Sequence, residues 1–384
     1  MSRDLGPNAR LIGVPGSRAQ LDTPALLIDL DRLERNVARM AEHARRTGRA
    51  LRPHAKTHKS VEIARRQVAA GALGQCCATL GEAEVLVDGG IAGVLITAQL
   101  VTEPKIQRLV ALHARAEGLM AVADHPDGVA AFAAAFEGSA ARPLGVVVDV
   151  DCGRHRTGVA SEADAVELAR RIAAAPGLRF AGIQAYAGHL QHVADFGERR
   201  AKALAVREQL RSLRAALAAE GLRPGIVTGV GTGTYAPDSE DDTFTELQTG
   251  SYVFMDVDYW NAMARDPGPV PFETALFVQV AVISTNAEGW VTTDGGFKVF
   301  ATDGPKPEIA AGAPAGSRYI YMGDEHGGVL PPEGAAAAER PALGARIECV
   351  TPHCDPTVNL HDVYHVVRGD TLVDIWPVDA RGRH

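Results

Sequence analysis

The sequence predicts an α/β protein: a parallel (β/α) barrel followed by a mostly antiparallel β C-terminal domain. Three observations carry that expectation. Strand-like apolar runs alternate with alanine-rich amphipathic helices as far as about residue 265. A Pro/Gly linker, Asp266-Pro267-Gly268-Pro269, then breaks the alternation. Beyond it the alanine-rich helices give way to short β-like runs joined by turns.

Taken in order, Ala25–Leu30 reads as a buried strand, and Asp31 as the cap of a helix whose stripe is Leu33, Val37, Met40 and Ala44. Further strands are expected at Ala50–His54, Gln75–Thr79, Val94–Thr97, Leu119–Val122, Gly145–Val150, Phe180–Tyr186 and Gly225–Gly229. Helices such as Ser161–Ala174 and Arg199–Glu220 lie between them. Eight strands in βα alternation suit a barrel better than an open sheet. After the linker, strands are expected at Ala275–Thr285, Gly289–Thr293, Arg318–Tyr321, Ala345–Val350, Val363–Val367 and Thr371–Ile375, with a hairpin at Val366–Val373. Ala310–Ala315 and Glu333–Ala338 read as Ala/Gly/Pro loops. The expected division is a barrel at 20–265, with 266–384 and the lead 1–19 forming the β-rich domain.

A chain of 384 residues, 46% hydrophobic and 22% charged, has ample material for a large core. A net charge of -8 without a basic run argues against nucleic-acid binding. No apolar segment approaches the roughly 20 residues that span a bilayer. The leading residues contain no apolar core followed by a cleavage site, so no signal peptide is read. Five cysteines without a CxxC make no disulfide framework, and a cytoplasmic location is the simplest expectation. The vicinal pair Cys76-Cys77 reads as packing.

Several clusters could carry chemistry. Arg52-Pro-His-Ala-Lys56-Thr-His-Lys59 sits at a strand-to-helix junction, where α/β folds place active sites. A lysine hemmed by cations can lose its proton and form a Schiff base with a carbonyl cofactor, although a solvated basic loop is the plainer reading of this stretch alone. Gly229-Val-Gly231-Thr232-Gly233-Thr follows a strand and could turn backbone N–H groups toward an anion. Gln248-Thr-Gly250-Ser251-Tyr252 closes another strand-like end with small donors. Asp149–Arg156 and Gln184–His192 place polar groups after apolar strands. In Pro352-His353-Cys354-Asp355-Pro356, an extended backbone would put His353 and Asp355 on one side and Cys354 on the other. An imidazole and a carboxylate suit Mn, Mg or Zn with open positions left for water or substrate. Asp324-Glu325-His326-Gly327 is a second polar cluster.

As an ordered set, these motifs together with Glu246-Leu-Gln-Thr-Gly-Ser-Tyr252 and the run from His353 to Asp362 resemble one group of enzymes. These are the pyridoxal-phosphate enzymes that include D-threonine aldolase, 3-hydroxy-D-aspartate aldolase and D-serine dehydratase. The resemblance spans about residues 20–380 and implies an alanine-racemase-like fold and a homodimer. It implies that Lys56 holds pyridoxal 5'-phosphate as a Schiff base and that Gly231, Thr232 and Gly233 hold its phosphate. Arg156, Tyr186, Gln248, Gly250, Ser251 and Tyr252 would line the cofactor, and His353 and Asp355 would bind the divalent metal. His-x-Asp resembles the aldolases, whereas the dehydratase branch tends to show His-x-Cys. Cys76-Cys77-Ala78-Thr79 stands where many aldolases have Cys-Cys-Gln-Lys, and it looks closer to the dehydratases.

The activity so implied is retro-aldol cleavage of a D-3-hydroxy-amino acid to glycine and an aldehyde, with a metal-bound water or a nearby histidine, His58 or His192, taking the hydroxyl proton. Dehydration of D-serine or 3-hydroxyaspartate uses the same parts. A racemase would need a second base, such as Tyr319, Tyr321 or Tyr364, and no metal. A non-catalytic pyridoxal-phosphate carrier would have no use for the second domain.

Overall fold

Eight short parallel strands form the first sheet of this computed structural model, which describes residues 5–139, 141–334 and 339–384. They are β2 (Ala50–Leu51), β3 (Cys76–Cys77), β4 (Leu95–Ile96), β5 (Met120–Ala123), β6 (Leu144–Asp149), β7 (Leu178–Ala185), β8 (Ile226–Gly229) and β9 (Glu246–Leu247). Their order is β2-β9-β8-β7-β6-β5-β4-β3, and a parallel bridge between His54 and Cys76 joins the two ends. The sheet therefore closes. Cys76, Leu95, Met120, Val122, Val147 and Ala181 fill its interior, while alternate residues such as Cys77, Ile96 and Val146 pack outward under the helices. That alternation is what a two-residue side-chain period dictates in a barrel.

The first strand, β1 (Ala25–Asp29), is not part of the barrel. It lies in the second sheet, antiparallel to β10 (Leu276–Ser284) and parallel to β16 (Val363–Arg368). Its apolar run is buried on both faces, which looks the same in sequence whether a strand is central to a barrel or to any covered sheet. The eighth barrel strand is instead β9, just two residues long. The helix Leu30–Thr47 then crosses from the second sheet to the barrel, where Asn36 donates to the Val253 and Glu273 carbonyls. Its cap is Asp29, whose carboxylate accepts the Arg32 N–H at 3.2 Å, while Asp31 already lies in the first turn. Ser161 caps Glu162–Ala174, and the long helix spans Phe196–Ala219.

The second sheet has nine strands and is mostly antiparallel. Besides β1, β10 and β16 it contains β11 (Val291–Thr293), β12 (Glu308–Ala311), β13 (Arg318–Tyr321), β14 (Gly327–Leu330), β15 (Arg346–Val350) and β17 (Thr371–Pro377). The hairpin between β16 and β17 turns at Gly369-Asp370, with Gly369 at φ 60°. β12 occupies the start of the expected Ala310–Ala315 loop, and residues 335–338 of the other loop lie outside the described residues. All five cysteines are free and buried, and among the described residues no helix is long and apolar enough to cross a membrane.

Candidate active site

The C-terminal ends of the barrel strands converge on two adjoining cavities of about 320 and about 200 Å³, which share His54, Lys56, Arg156, Tyr186 and Gln248. Lys56 sits in a short turn, Ala55–Thr57, directly after β2, and its backbone N–H is capped by His54 Nδ1 at 3.4 Å. The expected crowding by cations is relieved by the fold. Arg52 pairs with Glu246 at 2.9 Å and Lys59 with Glu82 at 2.6 Å, both buried. Burial holds His54 well below the usual histidine range and brings His58 down to about 4, so both are neutral. Burial also pulls the Lys56 pKa down, but Tyr186 and the Asp355 carboxylate, 3.8 Å away, outweigh it and the net shift is upward. The lysine is thus held as a cation, contrary to the lowered value that its sequence neighbours suggested.

Two tight turns form one wall. Gly231 and Thr232 follow β8, Gly250 and Ser251 follow β9, and all four line the smaller cavity. A Cβ on Gly231 would stand 2.2 Å from Gln191 Oε1, and one on Gly233 would stand 2.1 Å from the Gln191 carbonyl. The glycines are required because Gln191 packs against the outside of the turn, where its Oε1 accepts the Gly233 N–H at 2.9 Å. Gly233 is therefore the anchored back of the cradle and does not face the cavity. Thr232 Oγ1 accepts the Tyr252 N–H at 3.1 Å and ties the two turns together. Arg156 and Lys56 stand over the Tyr186 ring, at 6.0 and 5.6 Å from its centroid.

His353 and Asp355 reach the same cavity from the second domain. The segment is not extended: His353 is the entry residue of a short helix, Cys354–Val358. Their side chains still converge, Nε2 to Oδ2 at 3.8 Å, while Cys354 is fully buried on the opposite side. Asp303 holds His353 Nδ1 at 2.9 Å, and Thr57 donates to Asp355 at 3.2 Å. Burial opposes the charged imidazole, but Asp355, Asp256 and Asp303 raise the His353 pKa overall. His192 lines this cavity too, with Nδ1 3.2 Å from Asp258 Oδ2 and its ring tilted against Tyr259, the centroids 4.5 Å apart. Burial lowers its pKa more than Asp258 raises it.

Two expected site residues stand elsewhere. His58 is fully buried behind the turn, its Nδ1 accepting the Ser60 N–H at 3.1 Å, and it lines neither cavity. The Tyr252 phenol points into the core, where it accepts from Gln67 at 3.0 Å and packs on Phe272. Asp324-Glu325-His326 forms the turn between β13 and β14, with Glu325 paired to Lys298 at the surface. The hydroxyls of Tyr319, Tyr321 and Tyr364 donate to the carbonyls of Gly295, Ala301 and His58, away from both cavities.

A model of the alanine racemase N-terminal domain matches residues 28–258, and one described as a putative serine dehydratase domain matches 275–367. The chain belongs to the alanine racemase N-terminal domain family. It is similar to 3-hydroxy-D-aspartate aldolase from Paracoccus denitrificans, 37% identical over 375 residues that cover 96% of this chain and 95% of the relative. The crystal structure of D-threonine aldolase from Filomicrobium marinum is 41% identical, covers 95% of this chain and 96% of that one, and superposes with a TM-score of 0.89. D-threo-3-hydroxyaspartate dehydratase from Delftia sp. is 32% identical over 376 residues, 93% of this chain and 97% of the relative.

As a member of this family the chain would hold pyridoxal phosphate, and the residues fit it. A half-buried amine, a glycine-walled cradle and the Arg156 guanidinium surround one cavity. The metal also fits. The Asp303–His353 contact leaves Nε2 free toward Asp355, the carboxylate–imidazole arrangement that orients a metal-binding histidine. Among the described residues no third His, Cys, Asp or Glu completes a cluster, so water and substrate would supply the other ligands. Thr57 and Gln191 lie inside the sequence motifs but carried no role there, and Asp258, Tyr259 and Asp303 gave no signal. Gln191 was visible beside His192, but nothing local to Asp303 signals its partner 50 residues on.

Proposed function

We propose that this chain is a pyridoxal-phosphate- and divalent-metal-dependent aldolase that cleaves D-3-hydroxy-amino acids, of the D-threonine and 3-hydroxy-D-aspartate kind, to glycine and an aldehyde. The observation that carries this reading is that Lys56, His192 and the His353–Asp355 pair face one cavity beside a glycine-walled anion cradle. When bound, pyridoxal phosphate supplies a sink for the electron pair released at the substrate Cα. A divalent ion, manganese, magnesium or zinc, supplies the positive charge that makes the β-hydroxyl more acidic.

The chain's own residues do the rest. Lys56 binds the cofactor, Gly231, Thr232, Gly250 and Ser251 receive its phosphate, and Arg156 and Tyr186 fix its ring. Burial keeps His192 neutral, and with Nδ1 directed at Asp258 its Nε2 is the free acceptor for the β-hydroxyl proton. Asp258 then stabilises the imidazolium. His353 and Asp355 hold the hydroxyl side of the substrate next to that acceptor. A dehydratase reading draws on Ala78, which lines the larger cavity where a polar residue would otherwise reach the cofactor. The same proposal takes the working form to be a cytoplasmic homodimer, on the strength of the motif resemblance and five unpaired cysteines.

The test is product analysis with D-threonine. Glycine and acetaldehyde that disappear on chelation and return with Mn²⁺ support the aldolase; D-threonine and 3-hydroxy-D-aspartate both left unchanged, with the cofactor bound and Mn²⁺ present, remove it.

A further inference from the structure

We propose that Asp256 is a positioning residue for the metal pair, its one carboxylate capping two helices that enter the site from different domains. This rests on the reading of His353 and Asp355 as the metal pair. Asp256 is fully buried between the barrel and the second sheet. Its Oδ1 accepts the Tyr259 N–H at 2.8 Å, and its Oδ2 accepts the Cys354 N–H at 2.8 Å. The first bond caps Val257–Met263, which carries Asp258, the partner of His192. The second caps Cys354–Val358, which begins at His353 and carries Asp355. Met255, at φ 52°, turns the chain so that the next side chain points inward to reach both.

The two segments are also joined by main chain. Val257 N–H donates to the Thr351 carbonyl at 3.1 Å, and Asp258 N–H to the Pro352 carbonyl at 3.2 Å. These bonds hold the domains together without Asp256. What the carboxylate adds is the orientation of the first helical turn after Pro352, and so the direction in which Asp355 faces His353. A group that orients a metal ligand from behind acts on metal affinity before it acts on folding, and its loss typically weakens metal binding roughly 10–100-fold.

Asp256→Ser keeps a hydroxyl that can cap its own helix but is too short to reach Cys354 as well. Mn²⁺ binding is measured on cofactor-loaded protein by the free-ion paramagnetic resonance signal, without substrate. Wild-type binding is read first: no Mn²⁺ bound there overturns the metal reading itself, and this proposal with it. Given binding, Asp256→Ser is expected to bind Mn²⁺ roughly 10–100-fold more weakly while keeping its cofactor absorbance. Ser161→Ala, which removes a cap from a remote helix, is expected to bind it as wild type does. Equal Mn²⁺ affinity in Asp256→Ser and wild type overturns the proposal and leaves the metal reading standing. If Asp256→Ser carries no cofactor, Asp256→Asn replaces it. Its amide keeps the shape but sets an N–H₂ against one of the two donors, and the same loss is expected and the same equality refutes.

Discussion

Replacing Gln191 with leucine tests whether the glycine turn is held from behind. The glutamine is almost fully buried and makes three hydrogen bonds: from Gly233 N–H at 2.9 Å, to the Ala187 carbonyl at 3.1 Å and to Thr234 Oγ1 at 3.1 Å. Leucine fills nearly the same volume, so the close approach to Gly231 and Gly233 persists while the polar partners are lost. The Ala187 carbonyl keeps a second donor in Leu190 N–H. The Thr234 hydroxyl keeps the Asp238 carboxyl as a partner, whereas the Gly233 N–H is stranded. At about 1–3 kcal/mol for the one stranded buried donor, offset in part by the gain in apolar burial, the variant is destabilised by about 1–2 kcal/mol. If about 1.4 kcal/mol of that falls on the turn that receives the phosphate, cofactor binding weakens about tenfold. Pyridoxal phosphate is titrated into the apoprotein while the Schiff-base absorbance is followed. We expect a dissociation constant about tenfold or more above wild type and an unchanged band at saturation, because Lys56 is untouched. Affinity within twofold of wild type would refute the clamp.

Two further outcomes follow from burial. Tyr252→Phe removes only the acceptor for Gln67, so stability should fall by about 1 kcal/mol in denaturant titration while cofactor absorbance and Mn²⁺ dependence stay as in wild type; loss of the absorbance would return Tyr252 to the cofactor site. Burial raises Asp238 from its ordinary 3.8 to about 7, against the pull of Thr234 and Arg207. Folded protein therefore holds that proton more tightly than unfolded protein, so the contribution is full below pH 4 and is lost as pH rises through about 7. Asp238→Asn should lose less melting temperature than wild type between pH 5 and pH 8, and an equal loss would contradict this.

Much of the barrel was legible because each strand run is followed by an alanine-rich helix of clear period. The failures have physical causes. β1 carries the same doubly buried pattern as a barrel strand, and only its partners β10 and β16, hundreds of residues away, place it in the second sheet. β9 is too short to show a period, and β14 hides behind Gly327 and Gly328, which are glycines because Tyr319 and Met322 pack over them. Within the site, Lys56, His192, His353 and Asp355 were found by residue type. His58 and Tyr252 were not separable from them, since neighbours in a tight turn point in opposite directions. The lowered Lys56 pKa failed for a related reason: Tyr186 and Asp355, whose pull outweighs burial, are distant in sequence.

The most direct test of the central claim uses 3-hydroxy-D-aspartate, a substrate on which cleavage and dehydration give different products. Glycine, glyoxylate and ammonia are quantified from the same reaction with Mn²⁺ present. The account predicts glycine and glyoxylate in equal amounts with little ammonia, and their joint loss in His353→Ala. Ammonia and a keto acid as the main products would contradict it and make the chain a dehydratase.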